Sequence, residues 1–188
     1  MDRNAALDLV RRYTTKDITY RHLISVEGVM RALARHFGED EDRWGLAGLW
    51  HDLDYDVTEA EEDLGRHTYL TVEWLKEAGY TDEGVMNAIV AHRFEEYRTD
   101  LMSQAIVHAD ALAGLLVASA LVRPEKASGM KVSSVKKKLK ERSFAPGVER
   151  EEIRNVEEKI GIPMDEFIAI GITGVQDVAA EINLQPDS

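Results

Sequence analysis

Six side chains that can bind a metal ion are spread over the first 110 residues of the chain. They are four histidines and two aspartates: His22, His51, Asp52, His67, His92 and Asp110. Each lies in or beside a segment that we expect to be helical and apolar. An acidic residue is costly inside a protein unless a positive group neutralises it, and a divalent cation does this well. The pattern therefore predicts a metal centre.

The ligand types narrow the choice of metal. Nitrogen and oxygen ligands together suit Mn, Fe, Co, Ni or Zn, and a shared carboxylate also permits a pair of ions. The chain contains no cysteine, so thiolate ligands are excluded. Adjacent side chains on a helix point about 100° apart. His51 can therefore bind one ion while Asp52 reaches a second ion or bridges both.

Asp110 lies in the most apolar predicted helix of the chain. A carboxylate buried among alanine, leucine and valine would have a raised pKa or would need a cation. By contrast, His22, His67 or His92 taken alone would more often be structural. His36, at a helix end, and His108, about 200° around the helix from Asp110, are expected to be structural.

The elements that must position these residues are all predicted to be helices. The sequence has only four prolines and no sustained alternation of polar and apolar residues. The predicted helices cover residues 5–13, 18–37, 41–52, 65–78, 82–92, 100–122, 132–142, 150–160 and 163–182. Residues 53–63 are predicted to be a loop with room for one helical turn, and residues 94–99 are predicted to be a loop.

The order of the six residues resembles that of the HD-domain superfamily of metal-dependent phosphohydrolases. His22, His51, Asp52 and Asp110 match the core motif, and His67 and His92 match two histidines that dinuclear members add. The resemblance covers residues 18–122. It implies an all-α HD-domain helical bundle with additional C-terminal helices. In this interpretation residues 1–188 form a single domain, and helices in residues 123–188 pack on the core.

The resemblance also implies an activity. We expect hydrolysis of a phosphate ester or anhydride by metal-activated water, with one or two divalent ions (Mn, Fe, Co, Ni, Zn or Mg). Asp52 is the expected catalytic residue and bridging ligand, and the expected substrate is a nucleotide or another small phosphorylated compound.

One departure from the family pattern concerns the residues after the His-Asp pair. Many members have Ile-Gly and a charged residue there, whereas this chain has Leu53-Asp54-Tyr55-Asp56. The role of that charged residue cannot be transferred. Asp54 or Asp56 either orders the attacking water or caps the loop.

Candidate substrate-binding residues are basic. Arg21, Arg66 and Arg93 each directly precede or follow a predicted ligand, and guanidinium groups bind phosphate bidentately. Lys126 is a further candidate. The alternative for each is an exposed cation on a charged surface.

The charge distribution bounds the partners. The net charge is −12, although residues 123–142 alone carry eight basic and two acidic residues. Long nucleic acid should be repelled by most of this surface, whereas a small phosphorylated substrate should not.

The uncharged run at residues 111–122 is shorter than the roughly 20 residues that span a bilayer, and the N-terminus lacks the apolar stretch of a secretory signal. We expect a cytoplasmic protein without a membrane partner. The C-terminal helices carry a stripe of apolar residues, which we expect to pack on the core or against a second copy in a homodimer.

Two other functions are compatible with the same residues. A di-iron oxygenase can use the same six ligands, since the redox chemistry belongs to the iron. A non-catalytic helical regulatory module with a structural metal is the third interpretation.

Overall fold

The computed structural model describes residues 1–186 and contains helices and turns, with no strand in that range. The all-α prediction is confirmed. The α-helices are α1 (Arg3–Tyr13), α2 (Asp17–Phe37), α3 (Glu41–Trp50), α4 (Tyr55–Ala60), α5 (Tyr69–Glu77), α6 (Glu83–Ala91), α7 (Leu101–Leu121), α8 (Val132–Lys140), α9 (Arg150–Arg154), α10 (Val156–Ile160) and α11 (Met164–Asp177). Single 3-10 turns occupy Leu64–Arg66 and Glu95–Tyr97.

Side-chain caps fix the starts of three helices that carry or directly precede predicted ligands, namely α3, α6 and α7. The carboxylates of Asp40 and Asp82 accept hydrogen bonds from backbone N–H groups in the first turns of α3 and α6. Asp100 and Ser103 form a reciprocal capping box at the start of α7. Such caps satisfy N–H groups that have no partner within the helix, and each contributes about 1 kcal/mol.

The core is built around two long helices, α2 and α7. Both have 21 residues, and most of their side chains are buried. Helices α3, α6 and α11 pack against this pair. The ligands on α2 and α7 therefore belong to the best-packed part of the fold, which limits their movement.

Two glycines allow α11 to approach α2 at backbone distance. A Cβ atom added to Gly174 would lie 2.4 Å from the carbonyl oxygen of Gly28, and one added to Gly28 would lie 2.3 Å from that of Gly174. No larger residue fits at either position without moving a helix. This contact packs the C-terminal part of the chain directly on the helix that carries His22.

A buried carboxylate links α1 to α2. Glu27 is fully buried, and its oxygens accept hydrogen bonds from Arg3 at 2.6 and 2.8 Å and from Arg31 at 3.0 Å. Arg3 also contacts Glu181 at 2.8 Å. A buried carboxylate requires such partners, and this network connects both ends of the described chain.

Several helix boundaries differ from the predicted ones. The predicted loop at 53–63 contains α4, and the predicted helix at 65–78 is interrupted at Thr68, which has φ +76°. The predicted helix at 150–160 divides at Asn155 into α9 and α10, and the last helix ends at Asp177 rather than at residue 182. Local propensity did not predict these breaks because tertiary contacts determine them.

Helix α7 is long and apolar enough to cross a membrane by length and composition, although 67% of its most apolar window is buried within the protein. Core helices meet the same criteria, so this is weak evidence for a membrane span.

Candidate metal centre

The six predicted ligands converge on one point of the fold. His22 comes from α2, His51 and Asp52 follow α3, and His67 lies in the turn before α5. His92 caps the end of α6, and Asp110 lies in the middle of α7.

Asp52 lies between two groups of imidazoles. Its Oδ1 is 3.1 Å from Nε2 of His67 and 3.1 Å from Nε2 of His92. Its Oδ2 faces the other side, 3.5 Å from Nε2 of His51 and 3.8 Å from Nε2 of His22. Each oxygen of Asp52 thus faces a different pair of histidines, and Asp52 belongs to both groups of side chains that could hold a metal ion.

Asp110 completes the first of these positions. Its Oδ1 is 3.0 Å from Nε2 of His22 and 3.9 Å from Nε2 of His51. The two histidine Nε2 atoms are 3.1 Å apart. Two ring lone pairs at this distance repel each other unless a proton or a cation lies between them. Two groups could each hold an ion: His22, His51 and Asp52, with Asp110 beside them, and Asp52, His67 and His92.

Hydrogen bonds at Nδ1 orient three of the four imidazoles. Nδ1 of His51 donates to the carbonyl of Gly48 at 2.8 Å, and Nδ1 of His92 donates to that of Ile89 at 2.7 Å. Nδ1 of His67 donates to a carboxylate rather than to a backbone carbonyl. A proton on Nδ1 leaves the Nε2 lone pair free to bind a metal, so the donor set fits a divalent ion.

Asp54 is the carboxylate partner of His67. It is fully buried, and its Oδ1 accepts a hydrogen bond from Nδ1 of His67 at 2.6 Å. Its Oδ2 accepts one from the backbone N–H of Thr71 at 3.0 Å. Asp54 therefore satisfies a backbone N–H group in the first turn of α5 and does not line the cavity. It positions a ligand.

Asp56 has the capping role that the sequence left open. Its Oδ2 accepts hydrogen bonds from the backbone N–H groups of Thr15 and Lys16, and its Oδ1 accepts one from the Thr19 hydroxyl at 2.6 Å. Burial works to raise the pKa of Asp56, but these hydrogen bonds outweigh it and lower the pKa. The residue holds the turn between α1 and α2.

The surroundings of His51 and His67 shift the pKa values of these two residues in opposite directions. Burial lowers the pKa of His51 to about 4, which keeps its ring neutral. Burial also opposes the charge on His67, but hydrogen bonds to Asp52 and Asp54 raise its pKa to about 9. For Asp52, burial works to raise the pKa, whereas His51, His67 and His92 hold it well below the usual range. The surrounding histidines thus favour the ionised form of Asp52.

The expected burial of Asp110 among apolar side chains was wrong. Its side chain is 34% exposed and lines the cavity beside the ligands. Loss of water contact works to raise its pKa, but the hydrogen bond and charge of His22 lower it. The apolar character of α7 comes from its other faces, which the sequence pattern could not distinguish.

The structure does not bring the four predicted substrate-binding residues to the cavity. Arg66 faces Glu61 and Glu73 on the surface, and Arg93 donates to the carbonyl of Leu64. Arg21 and Lys126 do not line the cavity either. Their role in binding substrate stays a prediction.

The two remaining histidines lie outside the centre. Nδ1 of His108 donates to the carbonyl of Glu152 at 2.6 Å, and His36 lies 3.8 Å from Glu166. These are structural contacts that connect the core to the C-terminal helices.

A cavity of about 610 Å³ opens beside the ligands. Residues that the sequence did not single out line it, among them Tyr55, Arg98, Glu149 and Glu152. They come from loops and short elements distant in sequence. The sequence carried no spacing signal for them.

The comparisons agree with the geometry. Residues 19–115 match the HD domain family, and this stretch includes all six ligands. The chain belongs to the HD domain family. No solved structure matches the chain.

Proposed function

We propose that this protein is a metal-dependent phosphohydrolase that cleaves an ester or anhydride bond of a small phosphorylated compound. Nucleotides are the substrate class to test first. Membership of the HD domain family supports the general type of chemistry. The cavity volume of about 610 Å³ lies within the range of small-molecule sites.

The position of Asp52 is the observation that carries the proposal. Its two oxygens face different pairs of histidines, with Oδ1 3.1 Å from His67 Nε2 and Oδ2 3.5 Å from His51 Nε2. When bound, divalent ions act as Lewis acids toward a phosphoryl oxygen and lower the pKa of water. His22, His51, Asp52 and Asp110 would hold one ion, and Asp52, His67 and His92 would hold the other.

The chain's own residues fix this arrangement before substrate binds. The backbone carbonyls of Gly48 and Ile89 and the carboxylate of Asp54 each hold one imidazole in place. Preorganised ligands need no reorganisation during the reaction, which is an important source of catalysis. Asp52, 18% exposed, borders the cavity and belongs to both candidate metal groups, so a phosphate bound there would lie beside it.

Arg98 is the cation placed to meet the phosphate. It lines the cavity with His92 and Asp110, and its Nε donates to the carbonyl of Ala91 at 3.1 Å. That bond anchors the guanidinium on the turn after α6. A guanidinium beside the reacting group binds phosphate oxygens and neutralises charge that develops on them.

The proposal is tested with purified full-length protein reconstituted with Mn or Co. We expect release of inorganic phosphate from an aryl phosphate or from members of a nucleotide panel. The Asp52→Ala variant should lose at least about 100-fold of this activity, since a bridging ligand serves both ions. Asp63→Ala, which changes an exposed acid in a nearby loop, should retain it.

Two results would contradict the proposal. Equal activity of Asp52→Ala and the unsubstituted protein would exclude the site as the catalyst. Substrate-dependent oxygen uptake by the iron-loaded protein, without phosphate release, would favour the oxygenase alternative.

A further inference from the structure

The far wall of the cavity comes from the C-terminal part of the chain. One side is a face of α7 with Val107, Asp110 and Gly114, which follow one another at about one turn. The opposite side is the segment 145–149. A Cβ atom added to Gly114 would lie 3.4 Å from a methyl group of Val148, so the two sides approach each other closely there.

Outside the candidate metal ligands, most of the charged side chains that line the cavity are negative. Apart from the six candidate metal ligands, the charged residues found around the cavity in the described chain are Arg98, Glu149 and Glu152. Arg98 lies 3.7 Å from a carboxylate oxygen of Glu152. Among the described residues that line the cavity, Arg98 is the only cation outside the candidate ligands, so Glu152 and the phosphate proposed at the metal centre share it.

Glu149 carries the unbalanced charge. It is exposed, and within residues 1–186 it forms no ion pair. Glu152, by contrast, is fixed, because its carbonyl accepts from His108 and its carboxylate lies 3.6 Å from the same ring. A second phosphate in the cavity would therefore lie near a carboxylate, and the lining within the described chain provides no further cation to bind it.

We propose that Glu149 and Glu152 restrict the site to substrates with a single phosphate on an uncharged group that bears hydroxyl or amino groups. This inference rests on the proposed function, since it assumes that the phosphate binds at the metal centre. The rest of the substrate then faces the wall. A hydroxyl or ammonium group donates hydrogen bonds to the carboxylates there, whereas a further phosphate is repelled.

The apolar part of the wall fits the same substrate class. Val107, Ala111 and Val148 line the same cavity as the candidate ligands and the glutamates. Such a surface accepts the carbon skeleton of a sugar or nucleoside and provides no donor for additional phosphate oxygens. In this proposal the substrate is selected by the cavity residues that face the group to which its phosphate is attached.

The experiment compares adenosine mono-, di- and triphosphate as substrates of the Mn-loaded full-length protein. We expect kcat/KM to be at least about tenfold higher for the monophosphate, as expected for a like charge placed within several ångströms. The Glu149→Gln variant should reduce the ratio of monophosphate to triphosphate kcat/KM by roughly three- to tenfold. Glu152→Gln should change the ratio in the same direction.

Glu151→Gln is the matched control. Glu151 is an exposed neighbour that pairs with Arg154 and does not line the cavity, so the ratio should stay unchanged. Ribose 5-phosphate as a fourth substrate distinguishes a sugar phosphate from a nucleotide as the preferred member of the class.

The outcomes separate the two proposals. Phosphate release with a preference for the triphosphate, or a ratio that Glu149→Gln and Glu152→Gln leave unchanged, would overturn the inference and leave the phosphohydrolase function in place. Release of phosphate from none of these compounds or an aryl phosphate would overturn the proposed function, and the inference with it.

Discussion

The carboxylate of Asp54 accepts a hydrogen bond from Nδ1 of His67 at 2.6 Å and holds the opposite ring nitrogen 3.1 Å from Asp52. His51 and His92 rely on neutral backbone carbonyls for the same purpose. A carboxylate partner makes an imidazole a more basic ligand. In this chain that carboxylate occupies a position where many members of the family have glycine. Asp54 therefore strengthens the group of Asp52, His67 and His92, which could hold the second ion.

Asp54→Asn should weaken one of the two ion positions selectively. The amide can accept only one of the two hydrogen bonds that the carboxylate accepts, so its NH₂ group faces a donor. We expect the affinity for one of two ions to fall by about 10–100-fold, with the other unchanged. Calorimetric titration of metal-free protein with Mn measures both affinities.

Asp56→Asn is the control for this experiment. Asp56 is also buried and lies two residues away, but its partners are Thr15, Lys16 and Thr19. Two unchanged binding constants are expected for this variant. An identical titration curve for Asp54→Asn and the unsubstituted protein would show that Asp54 does not position a metal ligand.

His92→Ala should remove one ion and keep the other. The variant retains His22, His51, Asp52 and Asp110, whereas the second group loses one of its three members. We expect metal content to fall from two ions per chain to one, measured by elemental analysis after dialysis. His36→Ala, at the end of α2, should keep two. A His92→Ala protein with two ions would place the second ion elsewhere.

Asp56 should make the stability of the metal-free protein depend on pH. Its pKa is lowered in the folded state, so its contribution is full above the unfolded pKa of about 3.9 and is lost as the pH falls through the folded value. Asp56→Asn should cost about 1–3 kcal/mol of unfolding free energy at pH 7. The difference from the unsubstituted protein should shrink at pH 3.5.

Urea denaturation at pH 7, 5 and 3.5 in the presence of a chelator measures this effect. A difference that stays constant over the three pH values would mean that the hydrogen bonds of Asp56 do not depend on its charge.

Gly174→Ala should destabilise the packing of α11 on α2. Its new methyl group would lie 2.4 Å from the carbonyl oxygen of Gly28, so the helices must separate. Overpacking of this kind costs about 1–3 kcal/mol. Thermal or urea denaturation gives the value, and Thr173→Ala, an exposed neighbour on α11, should change stability by less than about 0.5 kcal/mol. Unchanged stability of Gly174→Ala would show that this close contact does not form.

The sequence predicted the helical class from its regular patterns, whereas the set of six ligands came from the resemblance of their order to that of the HD-domain superfamily. His22 and Asp110 lie on long helices whose spacing can be recognised, and the pair His51 and Asp52 follows a capped helix. The interruption at Thr68 was not predictable, since a positive φ at threonine is a local cost that tertiary contacts must offset.

The cavity wall was beyond sequence reasoning for a different reason. Arg98 lies in a loop and Glu149 precedes a five-residue helix, so neither belongs to a periodic pattern. The arginines adjacent to ligands were chosen by sequence neighbourhood, but neighbouring side chains on a helix point about 100° apart. Arg66 and Arg93 accordingly face surface partners rather than the cavity.

The most direct test of the central claim is anomalous diffraction from crystals of the Mn-loaded protein. Two peaks are expected on opposite sides of Asp52, one beside His22, His51 and Asp110 and the other beside His67 and His92. A single peak bound away from Asp52, or no peak among these six side chains at saturating metal, would contradict it.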